Sequence, residues 1–224
     1  MRPRRAPHPT ARTTSPWRHK AIMTALAATV LTGPGIAQAA PQSVPAAPSA
    51  STPAPESPPR ERAAAASITW SLERAANPTA DQRTAYDLIT AAMNAAVSRY
   101  NNLSDLGKSI TVRYDPGVPT ADGSINGTIR FGNRSYMNER TALHEIAHTI
   151  GVGTSSGWSS LGSGGTWRGA QATALVKRFD GSGATLSTGG GHFWPYGLNY
   201  DNEFSNTAAD RHVQIVAAMV RDGL

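Results

Sequence analysis

Cysteine is absent from all 224 residues, so no disulfide can brace this chain, and non-covalent contacts are left to hold it together. Long apolar runs are missing too. The most apolar stretch, Ala21 to Leu31, falls short of the about 18 residues that a spanning helix needs, so no stable membrane anchor is expected. Excess charge is missing where it would matter for a partner. The formal net charge is +6, but residues 1–66 hold eight Lys or Arg against two acidic residues, while residues 67–224 hold thirteen of each sign. A neutral region without groove- or phosphate-binding patterns is not expected to bind nucleic acid. Histidine is scarce: only His144, His148, His192 and His212 lie beyond the amino-terminal segment.

That segment reads as a leader. Arg18-His19-Lys20 precedes the apolar run, which is followed by Gly33-Pro34-Gly35 and Ala37-Gln38-Ala39. A basic start, a short apolar centre and an Ala-x-Ala end make a secretory signal peptide over residues 1–39, with the protein expected outside the cell. Residues 40–66 are Ala, Pro and Ser with almost nothing that can build a core, and are expected to form a disordered linker. Residues 67–224 then make one domain, long enough to bury a sizeable core and expected as a monomer.

Within it, Ser67 to Leu72 alternates apolar and polar residues and predicts a first strand. Tyr86, Ile89, Met93, Ala96, Val97 and Tyr100 recur at three and four, so residues 81–100 predict an amphipathic helix, capped by Asn77 or Thr79. Ile110, Val112 and Tyr114 alternate as a short strand, and Thr128 to Phe131 follows a turn at Asn126-Gly127. Asn138 can cap a helix that Gly151 ends. Residues 152–165 are rich in Gly and Ser, residues 169–179 predict a shorter helix, and residues 181–191 a flexible or hairpin-like stretch. Thr207 and Asp210 suggest a capping box for a final helix with a Val213, Ile215, Val216, Met219 and Val220 face. A small mixed sheet with these helices makes an α+β domain.

The chemistry is concentrated in His144-Glu145-Ile146-Ala147-His148. Residues four apart share a helix face, so two imidazoles can meet one metal ion, while Glu145 can take a proton from a metal-bound water. A catalytic zinc usually has three protein ligands and one open position, so a third ligand is needed. In the compact form of the motif it would fall at Thr154, whose neutral hydroxyl is a poor ligand. His192, after three glycines and before an aromatic cluster, is the replacement, with Glu203 and Asp201 as rivals and His212 assigned to the last helix. Tyr196 and Tyr200 are candidates to stabilise an oxyanion, and Trp158, Trp167, Phe193 and Trp194 could line apolar subsites.

The segment His144 to Gly153 resembles the active-site helix and turn of metzincin-type zinc metallopeptidases, and Gly127 to Phe131 resembles the edge strand on which they align an extended substrate. With residues 192–200 included, the chain also resembles secreted actinobacterial proteins, some of which carry a lectin-type domain. The resemblance implies a zincin-like fold, Zn2+ on His144 and His148, Glu145 as catalytic glutamate and Gly151 as the turn glycine. Thr154 departs from the third ligand, and the methionine turn of these enzymes has no counterpart between Gly151 and Met219. The expected function is hydrolysis of peptide bonds in extracellular proteins or peptides. The alternatives are attack on a cell-wall or carbohydrate-linked amide or ester, and a non-catalytic zinc-supported binding module.

Overall fold

The computed structural model describes residues 66–224. The expected signal peptide, residues 1–39, and all but the last residue of the expected linker lie outside the described residues. Among the described residues, no helix is long and apolar enough to cross a membrane.

The domain is mixed α+β. Strand β1 (Ile68–Leu72) leads into helix α1 (Ala80–Leu103), which is followed by β2 (Lys108–Tyr114), β3 (Ala121–Ser124) and β4 (Thr128–Phe131). Helices α2 (Glu139–Ile150), α3 (Ser156–Gly162) and α4 (Ala170–Asp180) come next, then β5 (Ser187–Gly189), β6 (His192–Trp194) and α5 (Asn206–Asp222). The first four strands form one sheet in the order β1-β2-β4-β3, in which β1, β2 and β4 run parallel and β3 runs antiparallel at the edge.

Alternation along the strands divides the sheet into two faces. Leu72, Val112 and Ile129 stand abreast in register, and with Ile68, Ile110 and Phe131 they meet α1 and α2. The other face carries Ser71, Thr111, Arg113 and Arg130, with Arg113 paired to Glu73 and Arg130 to Asp115 and Asp122. Helix α1 obeys its expected stripe, since Tyr86, Ile89, Met93, Ala96, Val97 and Tyr100 are all buried. Thr79 is the cap, in a reciprocal box with Gln82.

Strand β3 corrects the expected edge. Thr128 to Phe131, read from sequence as the edge strand, is the inner strand β4, and Ala121-Asp122-Gly123-Ser124 lies outside it. No apolar alternation marks β3, because its main task is close approach. A methyl group added at Gly123 would overlap the Glu145 carbonyl oxygen, so glycine lets the edge strand lie directly on α2. Helix α3 was also unannounced. It occupies the Gly- and Ser-rich stretch, where Ser155 caps it by accepting from Trp158 N–H and buried Trp158 anchors it. Short helices of low propensity form where packing favours them.

The last helix begins on a different cap from the Thr207–Asp210 box expected for it. Ser205 accepts from Ala208 N–H, and Asp210 instead pairs with Arg99 of α1. Arg99 also binds Glu139 at 2.8 Å, so one guanidinium ties α1, α2 and α5 together. At its other end α5 supplies a missing cap. Gly169 has no side chain to cap α4, and Asp222 does so from across the interface, accepting from Gln171 N–H at 2.7 Å and Ala172 N–H at 3.0 Å. The same carboxylate accepts from the Trp167 indole at 2.9 Å.

Replacing Asp222 with Ala removes a helix cap and leaves a buried indole N–H without its partner. The expected loss is about 2–3 kcal/mol in urea unfolding, with little effect on metal binding.

Candidate metal centre

The helix that matters is capped by Asn138, whose side chain accepts from Thr141 N–H, and it stops at Gly151, with φ 138°. Arg140, His144 and His148 recur one residue per turn along one face of it, Arg140 buried and the two histidines half-buried. Each imidazole is turned by a backbone carbonyl. His144 Nδ1 lies 2.7 Å from Gly197 O, and His148 Nδ1 lies 2.7 Å from Val152 O. A carbonyl only accepts, so both Nδ1 atoms carry the proton and both Nε2 atoms present lone pairs. Those two Nε2 atoms face one another at 3.1 Å. Neither can donate to the other, and a cation between them resolves the contact. Two nitrogens on one tetrahedral zinc would stand about 3.3 Å apart.

His192 completes the set. The ligand nitrogens of His144, His148 and His192 all lie within 4.8 Å of one another, close enough for one ion. Backbone geometry brings His192 there. Strands β5 and β6 form a hairpin whose two turn residues, Gly190 and Gly191, both have positive φ, as a tight two-residue hairpin turn requires. The turn rests on Gly153, just beyond the end of α2. A methyl group at Gly153 would overlap the Gly191 carbonyl, so two glycines allow the chain after His148 and the chain before His192 to touch through their backbones. Burial holds His148 below the usual imidazole range and His144 well below it, the latter helped by the nearby His148. Both are therefore neutral near pH 7, the state in which they can ligate.

Residues 196–198 form the loop behind the helix, and each of the three carbonyls is held by a different side chain. Tyr196 O lies 2.7 Å from His212 Nδ1, Gly197 O receives His144, and Leu198 O accepts from Arg140 Nη1 at 2.9 Å. Tyr196 and Leu198 sit at φ 68° and 56°, values unfavourable for residues with side chains, and these bonds hold them there.

The three histidines line a cleft of about 560 Å3. Helix α2 forms its floor, strand β3 one wall, and the residue pairs Gly190-Gly191 and Asn199-Tyr200 the other. Glu145 lines it too, with only 6% of its surface exposed. Burial pushes its carboxyl up to about 8, with Asp122 adding to the shift and Arg140 opposing it. A positive charge among the three imidazoles would favour the carboxylate.

The remaining candidates take other places. Glu203 accepts from the Trp194 indole at 3.2 Å and from Asn199 N–H at 2.8 Å, so it shapes the loop and is not part of the ligand cluster. Asp201 lies against Arg140. Thr154 lines the cleft but donates its hydroxyl to His148 O at 2.9 Å. His212 is fully buried against Tyr100 and Phe193. Tyr196 is corrected as an oxyanion donor, because its hydroxyl donates to Asp180 at 2.6 Å and it does not line the cleft. Trp194 lies outside the cleft lining as well, while Trp158, Trp167 and Phe193 are core residues. Of the named phenols only Tyr200, 64% exposed, stands at the cleft. Tyr136, Arg140 and Asn199 also line it; none belongs to a recognisable motif, so the sequence offered no signal for them.

Compared with known proteins, the chain matches no family model, no curated protein and no solved structure.

Burial pushes His212 down from 6.5 to about 4, partly offset because the charged ring would donate to both the Tyr196 and the Leu143 carbonyl. Above pH 6.5 the imidazole is neutral in both folded and unfolded chains and adds no pH dependence. Between 6.5 and about 4 the unfolded chain binds the proton and the folded one does not, so stability falls as pH falls. In metal-free protein, this residue accounts for roughly 3 kcal/mol of that loss. Urea titrations at a series of pH values, compared with His212→Gln, should show the variant losing correspondingly less between the two limits.

Proposed function

We propose that this chain is a secreted, zincin-like zinc metallopeptidase that hydrolyses peptide bonds in extracellular proteins or peptides. The observation that carries this reading is the convergence of three imidazoles with Glu145 on the floor of one open cleft. His144, His148 and His192 would hold Zn2+, and their nitrogen donor set suits that ion. When bound, zinc supplies a Lewis acid that acidifies water and polarises a carbonyl.

The chain's own residues do the rest. Glu145, one step round the helix from His144, takes a proton from the attacking water and returns it to the leaving amine. The Nδ1–H bonds to Gly197 O and Val152 O keep both helix imidazoles in the tautomer that leaves Nε2 free. Tyr200, which lines the cleft, would donate to a developing oxyanion. Strand β3 supports a peptide substrate in particular, because an exposed antiparallel edge beside the helix can take an extended chain as a further strand.

Catalysis is favoured over a purely structural metal site by the cluster itself. Among the described residues it offers three protein ligands, whereas structural zinc is usually closed by four. A general base buried in the same cleft has no purpose in a structural site. A glycan-directed reading loses its main support, since the tryptophans that would stack on sugars lie outside the cleft lining.

The test is metal content and turnover measured together. Purified protein should carry close to one zinc per chain, and His144→Ala or His192→Ala should lose it. Glu145→Gln should retain the metal and lose peptide hydrolysis by about 100-fold or more. Unchanged hydrolysis in a zinc-loaded Glu145→Gln protein would defeat the mechanism.

A further inference from the structure

One end of the cleft carries polar groups that the metal centre does not use. Arg140 lies one turn before His144 on the same face of α2, lines the cleft and is 7% exposed. Its Nη1 donates to Leu198 O at 2.9 Å and stands 3.4 Å from Asn199 O. Nη2 has no acceptor among the described residues. The Asp201 carboxylate forms an ion pair with Nε at 2.7 Å, but without the alignment of a hydrogen bond, so the Nε–H has no acceptor in line with it. That carboxylate is 80% exposed, so it is a counter-ion held mostly by water. Asn199, whose backbone carbonyl Arg140 approaches and which also lines the cleft, has a buried Oδ1 with no donor. Buried polar groups without partners are rare, and two of them at one end of one cleft point to a ligand that supplies what they lack.

We propose that this end of the cleft is a carboxylate-recognition subsite, in which Arg140 binds a carboxylate of the substrate and Asn199 Oδ1 accepts a neighbouring peptide N–H. A guanidinium is suited to a carboxylate because its planar fork of donors matches two oxygens. Asp201 holds the place until substrate arrives, and the incoming carboxylate displaces it to solvent. Four residues of helix place Arg140 about 6 Å along the axis from His144. An extended chain covers that distance in about two residues. The carboxylate therefore belongs within two residues of the bond that is cleaved, either as the chain's own carboxyl terminus or as an Asp or Glu side chain. The subsite rests on the peptidase reading only for its place beside the scissile bond.

Binding can be measured apart from turnover, by calorimetry on zinc-loaded Glu145→Gln protein and on metal-free protein. The probes are acetyl-tetra-alanine with a free carboxyl terminus, the same peptide as its amide, and amidated peptides carrying one Glu or one Gln at each position. The carboxylate member of a pair should bind about tenfold tighter or more, the scale of a hydrogen bond to a charged group. Preference confined to the free terminus identifies a terminal carboxylate, and preference confined to Glu identifies a side chain. Arg140→Gln should abolish the preference. Because Arg140 also holds Leu198 O, that variant risks misfolding, and surface Asp201→Asn supplies the second arm: removing the resident carboxylate should raise the preference about threefold or more. Equal binding of carboxylate and neutral peptides overturns the subsite, as does a preference that Asp201→Asn leaves unchanged. Hydrolysis of the same peptides by the zinc-loaded parent separates the two proposals. Preference without cleavage defeats the peptidase reading and keeps the subsite, and cleavage without preference does the reverse.

Discussion

Three consecutive backbone carbonyls, from Tyr196 to Leu198, are held by His212, His144 and Arg140, and much of the site depends on that arrangement. Two of these residues sit in a left-handed conformation that costs about 1–3 kcal/mol each without compensation. The hydrogen bonds offset that cost, and the loop in turn dictates the proton position on His144. A carbonyl at 2.7 Å leaves no freedom over which nitrogen carries hydrogen, so Nε2 is committed to the cleft. The buried His212 does for Tyr196 O what His144 does for Gly197 O, but from α5, which couples the last helix to the histidine cluster. A charged imidazole there would be unpaired in the core, so the same residue that orders the loop makes the apo-protein acid-sensitive.

The second constraint is backbone proximity. Bringing three imidazole nitrogens to one point requires the floor helix, the edge strand and the β5–β6 hairpin to approach more closely than side chains allow. Gly123 lets β3 lie on α2, and Gly153 lets the turn after α2 meet Gly191. Helix α2 is thus held on two sides by contacts in which any side chain would intrude. The cleft stays open between them because its remaining walls are polar: Asp122 on the strand, Asn199 and Asp201 on the loop, with Tyr200 at the mouth. Such a wall gains little from collapsing on itself, and that keeps room for a chain to bind.

What was legible in the sequence follows from local rules. Helix α2 could be drawn from Asn138 to Gly151 because caps and stops are nearest-neighbour effects, and its histidines share a face because 3.6 residues make a turn. The stripe of α1 and the strand around Ile110 and Val112 were equally legible, since periodic burial leaves a periodic pattern. The edge strand was assigned one strand too far in, because Ala121 to Ser124 has small and polar residues where the pattern demands apolar ones. Helix α3 and the Ser205 cap were missed because packing overrode weak local preference.

The sequence by itself determined that two imidazoles and a carboxylate share one helix, since that depends only on spacing. It also narrowed the third ligand to a few residues through the scarcity of histidine. Tertiary structure brings one of the candidates, His192, to the other two imidazoles. His192 lies 44 positions after His148 and meets it only because two glycine backbones touch, while Glu203 is turned to the Trp194 indole and Asp201 to Arg140. Whether a tyrosine faces the cleft or Asp180 depends on the course of a loop held by residues from two helices. No local pattern encodes such contacts, because their energy comes from groups that are distant in the chain and adjacent only once it is folded.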